Sequence, residues 1–145
     1  MPTSRPVLAI LIVLLVSLAS VPALRAQQDE AMTKDQGTFA GADGHKASGA
    51  VHLVASGTGH LLHFTPDFSV ERGPDVYVTL TDSTRRVTSQ SLVVGKLTRF
   101  SGEQTHDLPA GAELGRYTHV VLWCKKYDVR MGEAALARAE AMGGR

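Results

Sequence analysis

Disulfides are the first thing this sequence lacks. Its 145 residues include one cysteine, Cys124, so no intrachain bridge can form and apolar packing must hold the fold. There is no C-x-x-C-H, which excludes covalent attachment of a c-type haem. There is no G-x-S-x-G, no phosphate loop and no paired-carboxylate pattern, so hydrolase chemistry has no support. Asp67, Glu71 and Asp75 flank the Gly73–Pro74 turn without the spacing of an EF-hand. Basic clusters are also missing. Lys125–Lys126 and Arg85–Arg86 are isolated pairs, whereas nucleic acid needs a concentrated positive face. No apolar stripe of helical period precedes the tail, and no internal repeat is visible.

What is present begins with a leader. Arg5 is followed by an apolar run from Val7 to about Val21, then by Pro22 and the small residues Ala23 and Ala26. Charge, apolar stretch and small cleavage residue in that order predict a secretory signal peptide over residues 1–26. Cleavage is expected after Ala26, with Ala23 the alternative. The run is shorter than the ~20 residues of a spanning helix, although an uncleaved N-terminal anchor is the competing reading. Removing Arg5 and Arg25 lowers Lys plus Arg from 15 to 13, against 14 Asp plus Glu. The mature chain is therefore near neutral, periplasmic or extracellular, and not membrane-spanning.

Residues 27–36, QQDEAMTKDQ, are polar and aperiodic and read as a flexible linker. One domain is expected over 37–136. Short segments rich in β-branched and aromatic residues recur there between Gly, Pro, Asp and Ser: ASGAVHLVA, HLLHF, DVYVTL, SLVVGKL, THVVLWC and YDVRM. This spacing predicts an all-β protein, an antiparallel β-sandwich of roughly 7–9 short strands. Alternation puts Val51 and Leu53 on one face, and Val76, Val78 and Leu80 on one face. The alanine-rich end, GEAALARAEAMGGR, predicts a short C-terminal helix, with residues 137–145 a helical or frayed tail.

Cys124 ends the run YTHVVLWC. Alternation groups it with Val120 and Leu122, and groups Trp123 with His119 and Val121. Both faces are largely apolar, so the strand is either central and covered on both sides or borders an apolar recess. Cys124 itself has two readings. It is a small buried hydrophobe, or a thiol activated by Lys125 and Lys126, with Lys126 on its own side if the strand continues. An exported chain with one unpaired thiol makes the second worth testing. Six histidines invite a metal argument, but no pair has ligand spacing that suits its element. His60 and His63 should diverge on a strand. His45 is the histidine singled out for test.

Several stretches in this order resemble one family: GTF at 37–39, HKASGAV at 45–51, DFSVERGPDVYVTL at 67–80, GKL at 95–97, GEQTHDLP at 102–109 and VVLWCKKYDVRMGEAAL at 120–136. Together they resemble the DM-thirteen domain, described as an electron-transfer domain, in its small exported single-domain form. The resemblance implies that Cys124 is the signature cysteine, acting as a redox thiol or through a bound group such as haem. It implies structural roles for His45, Gly49, Asp67, Phe68, Gly73, Pro74, Asp75, Pro109 and Gly132. Thr105 and His106 depart from the family pattern, as does Met131, and all three read as packing positions. Met131 near Cys124 would be a soft thioether.

The expectation is a small exported electron-transfer or thiol-redox module built on Cys124, with Trp123, Lys125, Lys126 and Met131 as its surroundings. Its partner would be a redox or envelope protein. The alternative is a non-catalytic envelope or extracellular binding domain in which Cys124 is structural. Haem is disfavoured because ~100 residues of sandwich leave little core once a haem is enclosed.

Overall fold

The computed structural model describes residues 33–138. Among the described residues the regular elements are strands, apart from one 3-10 turn at Leu114–Arg116. The strands are β1 (Thr33–Thr38), β2 (Ala40–Gly41), β3 (Ala47–Ser48), β4 (Ala50–Ser56), β5 (Gly59–Phe64) and β6 (Ser69–Val70). After these come β7 (Val76–Thr81), β8 (Leu92–Lys96), β9 (Gln104–Asp107), β10 (His119–Cys124), β11 (Val129–Ala135) and β12 (Ala137–Arg138). One sheet runs β12-β1-β4-β5-β9, a second runs β2-β11-β10-β7-β8, and β3 pairs with β6. Every pairing is antiparallel.

The all-β antiparallel expectation holds, and the reason lies in the alternation. Val51 and Leu53 of β4 and Leu62 and Phe64 of β5 project from the first sheet. They meet Val76, Val78 and Leu80 of β7 and Val120 and Leu122 of β10, so the two sheets enclose one core. Phe39, Phe64 and Phe68 form its aromatic centre, with ring centroids 4.7–5.2 Å apart in tilted and edge contacts. Burying each such side chain contributes about 1.5–3 kcal/mol, which is how the fold does without disulfides.

Three expectations need correction. The strands number twelve among the described residues rather than 7–9, because β2, β3, β6 and β12 are two-residue pairings too short to show a period. The polar stretch assigned to a linker is strand from Thr33, since backbone pairing to β4 needs no apolar side chain. The alanine-rich end is not helical where it is described. Gly132 to Ala135 continue β11 against β10, and Ala137–Arg138 pair with β1. The leader, the first part of the linker and residues 139–145 lie outside the described residues. Among the described residues no helix is long and apolar enough to cross a membrane.

Candidate functional site

Strand β10 lies between β7 and β11, the middle position of its sheet. Val120, Leu122 and Cys124 face the core, as alternation predicts. The outer face is covered at Val121 and Thr79, which are fully buried there, and the Thr79 hydroxyl donates to the Val121 carbonyl at 2.8 Å.

Cys124 is the last residue of β10, opposite Val76 of β7 and Val129 of β11. Its side chain is buried, at 1% exposure. The bulge between Leu122 and Trp123 explains its nearest sulfur neighbour. Leu122 pairs with Gly132 and Trp123 with Arg130, so Met131 is the extra residue. A bulge re-aims side chains, and here Met131 turns inward, to 3% exposure.

The Arg72–Pro74 turn closes this end of the core. A methyl group built on Gly73 would stand 3.5 Å from the Met131 Cε, 3.9 Å from the Cys124 Sγ and 2.8 Å from the Val76 Cγ2. Only glycine fits that approach, and Gly73 itself is half-buried, flanked by exposed Arg72 and Pro74. The Gly73 segment thus borders the thiol. Its ends are fixed by Glu71 N–H donating to the Lys46 carbonyl (3.0 Å) and Lys125 N–H donating to the Asp75 carbonyl (2.9 Å). The Arg72 guanidinium stacks over Phe100 at 5.7 Å.

The side chains expected around the thiol are dispersed. The strand stops at Cys124 and the chain turns, so Lys126 never reaches the thiol side. Its Nζ lies 5.4 Å over the exposed Tyr127 ring. Lys125 Nζ lies 5.8 Å over Tyr77, a residue paired with Trp123 on the outer face. The Trp123 indole donates to the Asp128 carboxylate at 2.9 Å. Of the four expected neighbours, the structure brings only Met131 to Cys124.

The other motif residues have structural contacts. Gly49 has φ +93°, and a Cβ there would stand 2.5 Å from the Phe68 Cα. Gly132 leaves room for Ala47. His45 pairs with Glu71 at 2.9 Å, and this hydrogen bond holds the Glu71 carboxyl below its ordinary value. The Asp67 carboxylate accepts the Thr65 hydroxyl, and Asp75 pairs with Lys96 at 3.5 Å. Pro109 opens a surface turn in which its carbonyl accepts Ala112 N–H. His106 and Met131 pack in the interior as expected, whereas Thr105 is exposed.

Haem does not fit here. The Gly73 approach has no space even for a methyl against Val76, and His119 lies on the opposite face of β10 from Cys124. The described residues hold no group of three or more His, Cys, Asp or Glu side chains arranged for a metal ion. His52 and His63 stack at 6.1 Å on the outer face of the first sheet, and His63 pairs with Glu103.

A second cluster was not legible from sequence spacing. Asp43, Arg85, Arg86, Trp123, Asp128 and Arg130 line a cleft of about 580 Å³ on the outer face of the second sheet. The Arg85–Arg86 pair was its one sequence signal, noted there only as an isolated basic pair.

A family model described as electron transfer DM13 matches residues 38–136. No curated protein and no solved structure matches the chain.

Proposed function

The chain belongs to the electron transfer DM13 family, and we propose that it transfers electrons by thiol–disulfide exchange at Cys124. The observation that carries this reading is the close approach of Gly73 to the thiol. Cys124 is buried, yet a Cβ built on half-buried Gly73 would stand 3.9 Å from its Sγ at the strand end. Lifting the Arg72–Pro74 turn is a local opening that leaves both sheets paired, and such openings cost less than global unfolding.

With one cysteine in the chain, the disulfide must be supplied by a partner. In the open state the ionised Cys124 sulfur attacks one sulfur of that disulfide. The partner's S–S bond breaks, a Cys124–partner bond forms, and the departing sulfur leaves with the electron pair as a thiolate. The Cys124 proton passes to solvent. A second thiol, ionised, then attacks the partner sulfur of this mixed disulfide. The Cys124–partner bond breaks, a disulfide forms between the second thiol and the partner, and Cys124 leaves as a thiolate that regains a proton. The second thiol is thereby oxidised and the first disulfide reduced. The reading includes export to an oxidising compartment, supported by the charge, apolar run and small residues of positions 1–26.

The test is to incubate the native chain with oxidised glutathione across pH 6–9 and measure its mass. Accumulation of one glutathione adduct on Cys124, with the fold retained, supports the reading. Absence of any adduct until denaturant is added overturns it. The second reading, a binding domain in which Cys124 only packs, is favoured by the 1% exposure of that residue. It predicts that second outcome.

A further inference from the structure

We propose that the outer-face cleft binds a small ligand bearing one carboxylate on a hydroxylated ring, of the uronic-acid type. The cleft is independent of Cys124. Its volume of about 580 Å³ falls in the range of small-molecule sites.

Of its charged side chains, Asp43, Arg85 and Arg130 are held in ion pairs, while Arg86 and Asp128 make none among the described residues. Arg130 is held by Asp43 and Glu133, each at 2.8 Å, and Arg85 by Glu133 at 2.8 Å. Arg86 is exposed and makes no ion pair among the described residues, leaving one guanidinium fork open to a carboxylate. Asp43 and Asp128 on the same rim disfavour a dianion such as phosphate, so a single negative charge suits the site. Trp123 supplies a half-buried flat apolar surface, and its indole is fixed by Asp128. One Asp128 oxygen takes that bond, and the other, with no hydrogen bond among the described residues, is available to accept a ring hydroxyl.

The backbone singles out the same place. Among the described residues three non-glycine positions have left-handed φ: Asp43 (48°), Arg85 (59°) and Asp128 (51°). All three line this cleft. Such conformations are costly and concentrate at ligand sites.

Trp123 is the only tryptophan, so its fluorescence reports on this cleft alone. The full chain is titrated with D-galacturonate, galactose and benzoate, with calorimetry in parallel. The expected result is a saturable response to galacturonate, with galactose and benzoate both at least about tenfold weaker. Arg86→Ala is expected to raise the galacturonate Kd about tenfold or more with no change in Tm, since the side chain is exposed. Absence of saturable fluorescence and heat, or an unchanged Kd in Arg86→Ala, would overturn the proposal. So would galactose or benzoate binding as tightly as galacturonate.

Discussion

Arg130 and Asp43 stand 87 positions apart and meet through three hydrogen bonds. The Arg130 backbone N–H and Nε donate to Oδ2 at 2.9 and 3.3 Å, and Nη2 donates to Oδ1 at 2.8 Å. The pair ties the β2–β3 loop to β11. It holds the Asp43 carboxyl below its ordinary value of 3.8, chiefly through the side-chain hydrogen bond from Arg130. A lowered folded value means that the ionised pair stabilises the fold above pH 3.8, and that this is lost as pH falls through the folded value.

The consequence is measurable by Asp43→Asn, which keeps the left-handed backbone that asparagine tolerates. Both partners are partly exposed, so solvent screening limits the loss to about 0.5–1 kcal/mol. Thermal melts of wild type and variant should differ at pH 6 and converge well below pH 3.8. A gap of equal size at both pH values would contradict the pairing.

His106 sets a second acid dependence. It is 8% exposed and packs 5.0 Å from the Phe64 ring, and burial holds its value below the ordinary 6.5. The unfolded chain therefore takes up the proton first, and stability declines as pH falls below 6.5 until the folded value is passed. His106→Phe should remove part of that decline. His119, lowered by burial as well, should retain the rest. Equal slopes in the two proteins between pH 6.5 and 5 would count against a neutral buried His106.

Gly49→Ala tests the fold most severely. The added methyl would meet the Phe68 backbone at 2.5 Å in a residue with φ +93°. Loss of cooperative unfolding, or a destabilisation above about 3 kcal/mol, is expected by denaturant titration. A variant as stable as wild type would show that β4 and Phe68 are not so closely apposed.

Much of the core was legible because β-sheet alternation is local. Val51, Leu53, Val76, Val78, Leu80, Val120 and Leu122 declare their face by their neighbours alone. β1 was not, since its pairing is made by backbone groups and its side chains carry no pattern. The tail misled because alanine favours helices in isolation, whereas Ala134 is a buried core residue of β11, paired with Val120 of β10. At the site, period two placed Cys124 correctly but could not foresee that the chain turns after it and carries Lys126 away. Nor could it foresee the bulge that brings Met131 inward. The cleft of Arg86 and Trp123 was hidden because Asp43 and Arg130 are distant in sequence and are brought together by the pairing of β2 with β11.

Cys124→Ser should separate packing from chemistry. A hydroxyl in this apolar end, beside Met131, is expected to cost about 1–3 kcal/mol, with Cys124→Ala costing less. A serine variant as stable as wild type would mean that the position is wet. In either variant the glutathione adduct must disappear.

The most direct measurement is the rate of Cys124 alkylation by iodoacetamide in the native protein as a function of low denaturant, compared with the rate set by global unfolding. If the thiol is reached by lifting the Gly73 turn, labelling exceeds the global rate and is nearly independent of denaturant, and Gly73→Ala alters it. If labelling instead tracks global unfolding at every denaturant concentration, the sulfur is reached only when the sandwich comes apart, and a redox role for Cys124 is contradicted.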